Sequence, residues 1–198
     1  MPVYTKPFGF EPVQRRDGLP YAGVVREYPI ASAYGTALRR GDLVRVNTSG
    51  ALIKATDTNA TPTAAGGIMG VFVGCAYTDA VLGRTYRTYW TASTSSPDAV
   101  AMIVDDPRAL FRVAYVSSGV TISAQTYAAT IGKNVEVVQN TTATKFSDIA
   151  LTGVTSTDGA PFRVVDVDRD SAASATTYTA LLVTYAINCH AWDCIAPT

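Results

Sequence analysis

The amino-acid sequence predicts a mainly β protein, a β-barrel or sandwich with one short helix and an extended N-terminal arm. Val, Ala and Thr are abundant, Leu is scarce, and eleven Tyr are spread along the chain. This β-branched and aromatic enrichment favours pleated sheet over helix. The apolar runs are short and are separated by clusters of Gly, Ser, Thr and Pro, as in all-β barrels and sandwiches.

The first 28 residues are predicted to form the extended arm. Prolines at positions 2, 7, 12, 20 and 29 are too closely spaced for a regular element to survive between them. The aromatic residues among them need a surface to pack against, which is either the chain's own domain or a neighbouring molecule. We expect the second alternative, with partner contacts at Tyr4, Phe8, Phe10, Arg15, Arg16 and Tyr21.

Residues 29–198 are predicted to form the globular domain, with a subdivision near 117–122 as an alternative. Alternating or continuous apolar runs between turn residues indicate ten strands. The predicted strands are Asp42–Val46, Ala51–Lys54, Gly70–Gly74, Arg84–Trp90, Ala99–Val104, Leu110–Val116, Val135–Gln139, Ile149–Leu151, Phe162–Asp168 and Tyr178–Ile187. One helix is expected at Ser123–Ile131, with Ser123 as N-cap and Gly132 at its end. No internal repeat is apparent.

The composition argues against several classes of partner. With 16 basic and 16 acidic residues the net charge is zero, so no field draws the chain onto nucleic acid or an anionic membrane. No apolar run approaches the roughly 18 residues of a membrane helix. The first residues lack the basic and apolar regions of a signal peptide, so we expect cytoplasmic synthesis.

Neither a catalytic set nor a cofactor site is predicted. Asp166, Asp168 and Asp170 open like a calcium loop, but Ser171 and Thr177 stand where an EF-hand needs Gly and Glu. A nucleophilic triad is equally unsupported, because the chain has a single histidine and no serine in a G-x-S-x-G pattern. We therefore expect the protein not to be an enzyme.

Two further patterns have plain structural alternatives. Asp105 and Asp106 are adjacent, so on a strand they would point to opposite faces, and a turn cap before Pro107 is the better interpretation. Cys189, His190 and Cys194 contain zinc-ligand types, but they lack a fourth ligand and the usual C-x2-C spacing. We predict no metal there.

Seven segments of the chain carry a family resemblance: YPIASAYGTALRRGDLVRVNTSGALIKA, GVFVGCAYTD, YRTYWTAST, AMIVDDPRALFRV, IGKNVEVVQN, DIALTGVTSTDGAPFRVVDV and LLVTYAINCHAW. They resemble segments of the capsid decoration, cement or head-associated proteins of tailed bacteriophages. The resemblance spans residues 28 to about 192. GVFVG, the strand before DDP, and PFRVVDV are its most specific elements.

The resemblance implies a nonenzymatic virion protein on the outer surface of the phage head. Its partner would be the major capsid protein, whose lattice it would stabilise, and it would need no cofactor. A homotrimer is the favoured assembly and a dimer the rival. The alternative function is a virion adhesion or receptor-binding module that recognises host glycan through Tyr and Trp surfaces, including Trp90 and Trp192.

Overall fold

The structure is a computed structural model that describes residues 7–55, 67–116, 130–138, 147, 150–155, 160–168, 171, 179–186 and 190–191. It confirms the mainly β fold class. Its strands are β1 (Glu11–Arg15), β2 (Arg26–Pro29), β3 (Leu38–Arg39), β4 (Leu43–Val46), β5 (Leu52–Lys54), β6 (Gly70–Asp79), β7 (Gly83–Arg87), β8 (Tyr89–Trp90), β9 (Val100–Val104), β10 (Ala109–Ala114), β11 (Asn134–Val138), β12 (Ala150–Thr155), β13 (Phe162–Val167) and β14 (Ala180–Tyr185).

All ten predicted strands have counterparts, but the predicted strand Arg84–Trp90 is divided into β7, which pairs with β6, and β8, which pairs with β3. The strands β1, β2 and β3 were not predicted. The predicted helix at Ser123–Ile131 lies almost wholly outside the described residues. Gly132 has a φ of +76°, which is compatible with a glycine that ends a helix. The position 117–122, where a subdivision was considered, also lies outside the described residues.

Twelve of the strands form two sheets of the same topology in tandem, and β3 pairs with β8 in a separate two-stranded sheet. In the first, the order is β2-β9-β6-β4-β5, with β7 added beside β6. In the second, the order is β10-β14-β13-β11-β12, with β1 added beside β10. Numbering the five shared strands in chain order gives 1-5-4-2-3 in both cases. The structure corrects the expectation that the chain has no internal repeat.

Each sheet is closed by one parallel bridge between its first and third shared strands. Ile30, directly after β2, bridges Leu52, and Tyr115, directly after β10, bridges Leu151. Both sheets are thus five-stranded barrels, which we call the first barrel and the second barrel. The chain passes from one to the other through the connection between Val104 and Ala109.

The two barrels also match in register. Gly41 and Gly132 both have positive φ, +94° and +76°, and each lies two residues before the start of the second shared strand. The Gly41 N–H donates to the Phe72 carbonyl at 2.8 Å, and the Gly132 N–H donates to the Val164 carbonyl at 3.0 Å. In each barrel a β-bulge directly follows that acceptor residue. The local geometry is therefore repeated as well as the strand order.

Apolar side chains fill both barrels and the junction between them. One cluster lies inside the first barrel around Phe72, Trp90 and Ile103. A second fills the second barrel and continues into Leu43 and Val71 of the first. Because the barrels share this cluster, each supports the packing of the other.

Candidate interaction surface

The most exposed large apolar side chains of the described residues lie at the tip of the β6–β7 hairpin. Val81 is 89% exposed and Leu82 is 67% exposed. One carboxylate oxygen of Asp79 accepts the N–H groups of Val81 at 2.9 Å and Leu82 at 3.1 Å. These bonds hold the pKa of Asp79 below its usual value. Gly83, with a φ of +72°, completes the turn. The tip, Val81–Leu82, is therefore presented on an ordered turn.

The charges at the base of the hairpin are satisfied within the protein. Asp98 accepts hydrogen bonds from the hydroxyls of Ser96 and Thr78, both at 2.6 Å, and pairs with the Arg84 guanidinium at 2.8 Å. The Ser96 and Thr78 bonds hold the pKa of Asp98 well below its ordinary value. The polar groups thus stabilise the hairpin, and the tip itself offers apolar contact.

A cleft of about 550 Å³ lies between the β1–β2 loop and the connection between the barrels. Arg15 Nε lies 3.2 Å from Asp106, and Arg26 Nη1 lies 3.3 Å from Asp105. Burial first, and then the two carboxylates, raise the pKa of Tyr21 to about 12. Each carboxylate of the cleft has an arginine partner, so these charges fix the loop to the barrels.

The two aspartates of this cleft differ in role. The turn cap predicted for Asp105 and Asp106 before Pro107 is formed by Asp106 alone, which accepts the Arg108 N–H at 2.8 Å. Asp105 is buried instead, and it accepts a hydrogen bond from the Tyr28 hydroxyl at 2.9 Å. No nucleophile and general base meet here among the lining residues.

The predicted contact residue Phe10 lies in the chain's own core, which corrects the prediction that it meets a partner. It is 2% exposed, and its ring centroid lies 4.6 Å from that of Phe162 and 5.9 Å from that of Phe111. Phe8 is half-buried against the small cluster of Ala114, Val116 and Ala150. β1 continues this attachment by pairing with β10. From residue 7 to residue 15 the arm therefore packs on its own domain.

The other predicted contact residues have mixed positions. Arg15 forms the ion pair with Asp106, and Tyr21 is half-buried and donates its hydroxyl to the Val24 carbonyl. Arg16 is exposed, while its N–H donates to the Arg108 carbonyl at 2.8 Å. Tyr4 lies outside the described residues. Among the described members of the set, Arg16 is the most open to a partner.

A buried polar network joins the two barrels. Asp42 is fully buried, and its carboxylate meets the Lys54 Nζ at 2.9 Å, the Arg39 N–H at 2.9 Å and the Ser147 hydroxyl at 2.7 Å. These partners satisfy both of its oxygens, so the network is structural. A buried carboxylate left without such partners would cost several kcal/mol, about 3–5 when one is removed.

The residues considered for metal or glycan binding have core positions where the structure describes them. His190 is fully buried, with its ring 4.6 Å from that of Tyr185, whereas Cys189 and Cys194 lie outside the described residues. Trp90 is 1% exposed and packs edge-on against Tyr77. Among the described residues no group of three potential metal ligands occurs.

Sequence reasoning missed the tip and the exposed β1–β2 loop. Leu19, Val24 and Val25 in this loop are 56%, 61% and 40% exposed. The available signal was an apolar pair between Asp79 and Gly83, where a turn ordinarily has polar residues.

Comparison with protein-family models, curated proteins and solved structures gives no match. Within the described ranges, no helix is long and apolar enough to cross a membrane.

Proposed function

We propose that this chain is a nonenzymatic structural protein of a tailed-phage virion that binds the outside of the head and stabilises the lattice of the major capsid protein. The observation that carries the proposal is the tip, where Val81 and Leu82 project from an ordered hairpin. The sequence resemblance to head decoration and cement proteins supplies the identity of the partner.

The tip supports binding because exposed apolar side chains gain free energy on burial. Burying one Val or Leu side chain contributes about 1.5–3 kcal/mol, so the two residues contribute roughly 3–6 kcal/mol per chain. Association entropy opposes much of this gain. A weak contact still suffices on a capsid, because several linked contacts on a fixed lattice raise the effective concentration of each.

The assembly expected from the resemblance is a homotrimer at positions where three capsid subunits meet. Three tips related by a closed rotation would each contact a different subunit. This arrangement would brace the subunits against pressure from the packaged genome. A dimer on a two-fold axis is the rival arrangement.

The deciding experiment combines heads that lack this protein with the purified chain. We expect saturable co-sedimentation, and electron-microscopic density on the outer shell at three-fold positions. Leu82→Ser should weaken binding about tenfold or more, since one buried Leu is lost. Val165→Ser, at another exposed apolar position (41%), is the matched control and should bind normally.

Several outcomes would overturn the proposal. Density at the tail or a fibre, together with binding to host glycan, would favour the adhesion function. Heads that do not bind the chain at all would exclude the decoration function. Equal binding by both serine variants would remove the tip from the contact surface.

A further inference from the structure

The equivalence of the two barrels reveals a difference at one strand edge. In the second barrel, β1 covers the edge of β10, with Glu11 opposite Arg112 and Arg15 opposite Ala109. β2 is the corresponding strand of the first barrel. In the described part of the chain, β2 pairs along its length with β9 and has no strand on its other side.

The edge that corresponds to the covered part of β10 is Val24–Glu27, that is, the first two residues of β2 and the two residues before them. Ile30 and Tyr115 are equivalent because each forms the bridge that closes its barrel. Three residues earlier Glu27 corresponds to Arg112, and six residues earlier Val24 corresponds to Ala109. All four residues of the edge are exposed. The edge is thus the first-barrel counterpart of the segment that β1 covers.

The backbone of this edge is oriented for strand addition. The Ile30 N–H donates to the Ala99 carbonyl at 2.9 Å, so Ile30 faces β9. Backbone groups alternate in direction along a strand, so those of Glu27 point away from β9. β2 begins at Arg26, and the same alternation carried back one residue would put the backbone groups of Val25 on that side as well. Exposed edges of this kind are usually blocked by proline, charge or a covering segment. Proline occurs on β2 only at its last residue, Pro29.

The charge at the edge is the reverse of that in the second barrel. There, Arg112 Nη2 lies 2.7 Å from the Glu11 carboxylate across the β1–β10 pair. The corresponding first-barrel residue, Glu27, is exposed and has no ion pair among the described residues. A strand added beside Glu27 would therefore place a cation where β1 has Glu11.

We propose that the edge Val24–Glu27 binds an extended segment of a partner polypeptide as an added antiparallel strand, with a Lys or Arg of that segment opposite Glu27. Backbone hydrogen bonds to Val25 and Glu27 supply affinity, and the ion pair sets the register. The identification of the partner as the capsid protein rests on the proposed function. The edge as a binding site and its preference for a cation do not depend on the proposed function.

The test uses two capped synthetic peptides, Lys-Val-Thr-Val-Thr and Glu-Val-Thr-Val-Thr, titrated into the full-length chain up to 5 mM and followed by NMR. The amide signals of Val25 and Glu27 should shift with the Lys peptide, which should bind about threefold more tightly than its Glu twin. Glu27→Lys should reverse that preference. Val25→Pro removes one outward N–H and should abolish binding while the far-UV circular dichroism stays unchanged.

The outcomes separate this inference from the proposed function. Shifts confined to other residues, no shift at 5 mM, or no reversal by Glu27→Lys would overturn the strand-addition site. Shifts of Val25 and Glu27 that depend on protein concentration without peptide would assign the edge to a second copy of this chain and overturn the foreign partner. Failure of head binding alone would contradict the proposed function and leave this edge supported by the peptide result.

Discussion

Substitution of Phe10 tests whether the N-terminal segment is part of the folded core. Phe10 is 2% exposed, and its ring lies against those of Phe111 and Phe162 inside the second barrel. Phe10→Ala should destabilise the protein by about 3–5 kcal/mol, through lost burial and the cavity left behind. Since globular proteins are stable by only about 5–15 kcal/mol, this is a large fraction of the total.

The assay is thermal and urea unfolding followed by circular dichroism. For a chain of this size each kcal/mol corresponds to about 2–4 °C, so the Tm should fall by roughly 10 °C. Leu82→Ala, at a 67% exposed position, is the control and should change stability by less than about 0.5 kcal/mol. Phe10→Leu keeps much of the apolar volume and should lie between the two.

The stability of the Phe10→Ala protein can also refute the burial of Phe10 in the core. A Tm of the Phe10→Ala protein within about 2 °C of the parent, combined with weakened head binding, would return Phe10 to the partner surface. A truncation also tests whether the N-terminal segment belongs to the folded core. Removal of residues 1–27 should fail to leave a folded core, because it deletes both Phe10 and β1.

Three further predictions concern the repeated glycine, the buried network and the cleft. Gly41→Ala should destabilise the protein more than Gly132→Ala, as measured by urea unfolding. A Cβ at Gly41 would lie 3.0–3.1 Å from backbone atoms, whereas a Cβ at Gly132 would meet nothing within 4 Å. Equal losses of stability in the two variants would contradict this. Asp42→Asn should cost about 3–5 kcal/mol by leaving the Lys54 ammonium without its buried partner, and a loss below 1 kcal/mol would refute the network's role. The pKa of Tyr21 is raised to about 12 in the folded state, so its protonated hydroxyl contributes fully to folding stability below about pH 10, and this contribution is lost as the pH rises through 12. Tyr21→Phe should therefore flatten the alkaline decline of stability measured by urea unfolding. An unchanged decline would refute this role of Tyr21.

Strand prediction succeeded where local pattern and burial agree. The runs that became β6, β9 and β14 are apolar and lie between turn residues, and each is buried on the barrel wall. β1 and β2 were missed because their prolines argue against regular structure. Both are outer strands, where proline is tolerated. Local sequence therefore predicted the interior strands better than the outer ones.

The repeat was hidden for a related reason. The segments that begin the second shared strand have in common the pattern Gly-x-x-Val-x-Val, at Gly41–Val46 and Gly132–Val137. Three shared residues of such common types, within a segment of six, do not identify a repeat. A barrel fold fixes the register of its strands, the position of the bulge and the glycine turn. Many different apolar residue types can fill each interior position. Topology can thus be duplicated with little shared sequence.

The candidate surfaces divide in the same way. The sequence indicated that the aromatic residues of the N-terminal segment require burial, but burial against the same chain and burial against a partner leave the same local pattern. The structure places Phe10 inside the second barrel and exposes Val81 and Leu82. Exposure depends on where the whole chain runs, so residue type alone could not assign it.

By itself, the sequence determined the β class, most strand positions, the neutral charge and the lack of a complete catalytic motif, because these follow from composition and local periodicity. Only the tertiary structure decided that two barrels repeat one topology, that β1 covers an edge of one of them, and that no strand of the described residues covers Val24–Glu27 of the other. These features depend on pairing between strands that are distant in the chain. Backbone hydrogen bonds form such pairs between almost any side chains, so their partners are fixed by global packing rather than by local sequence.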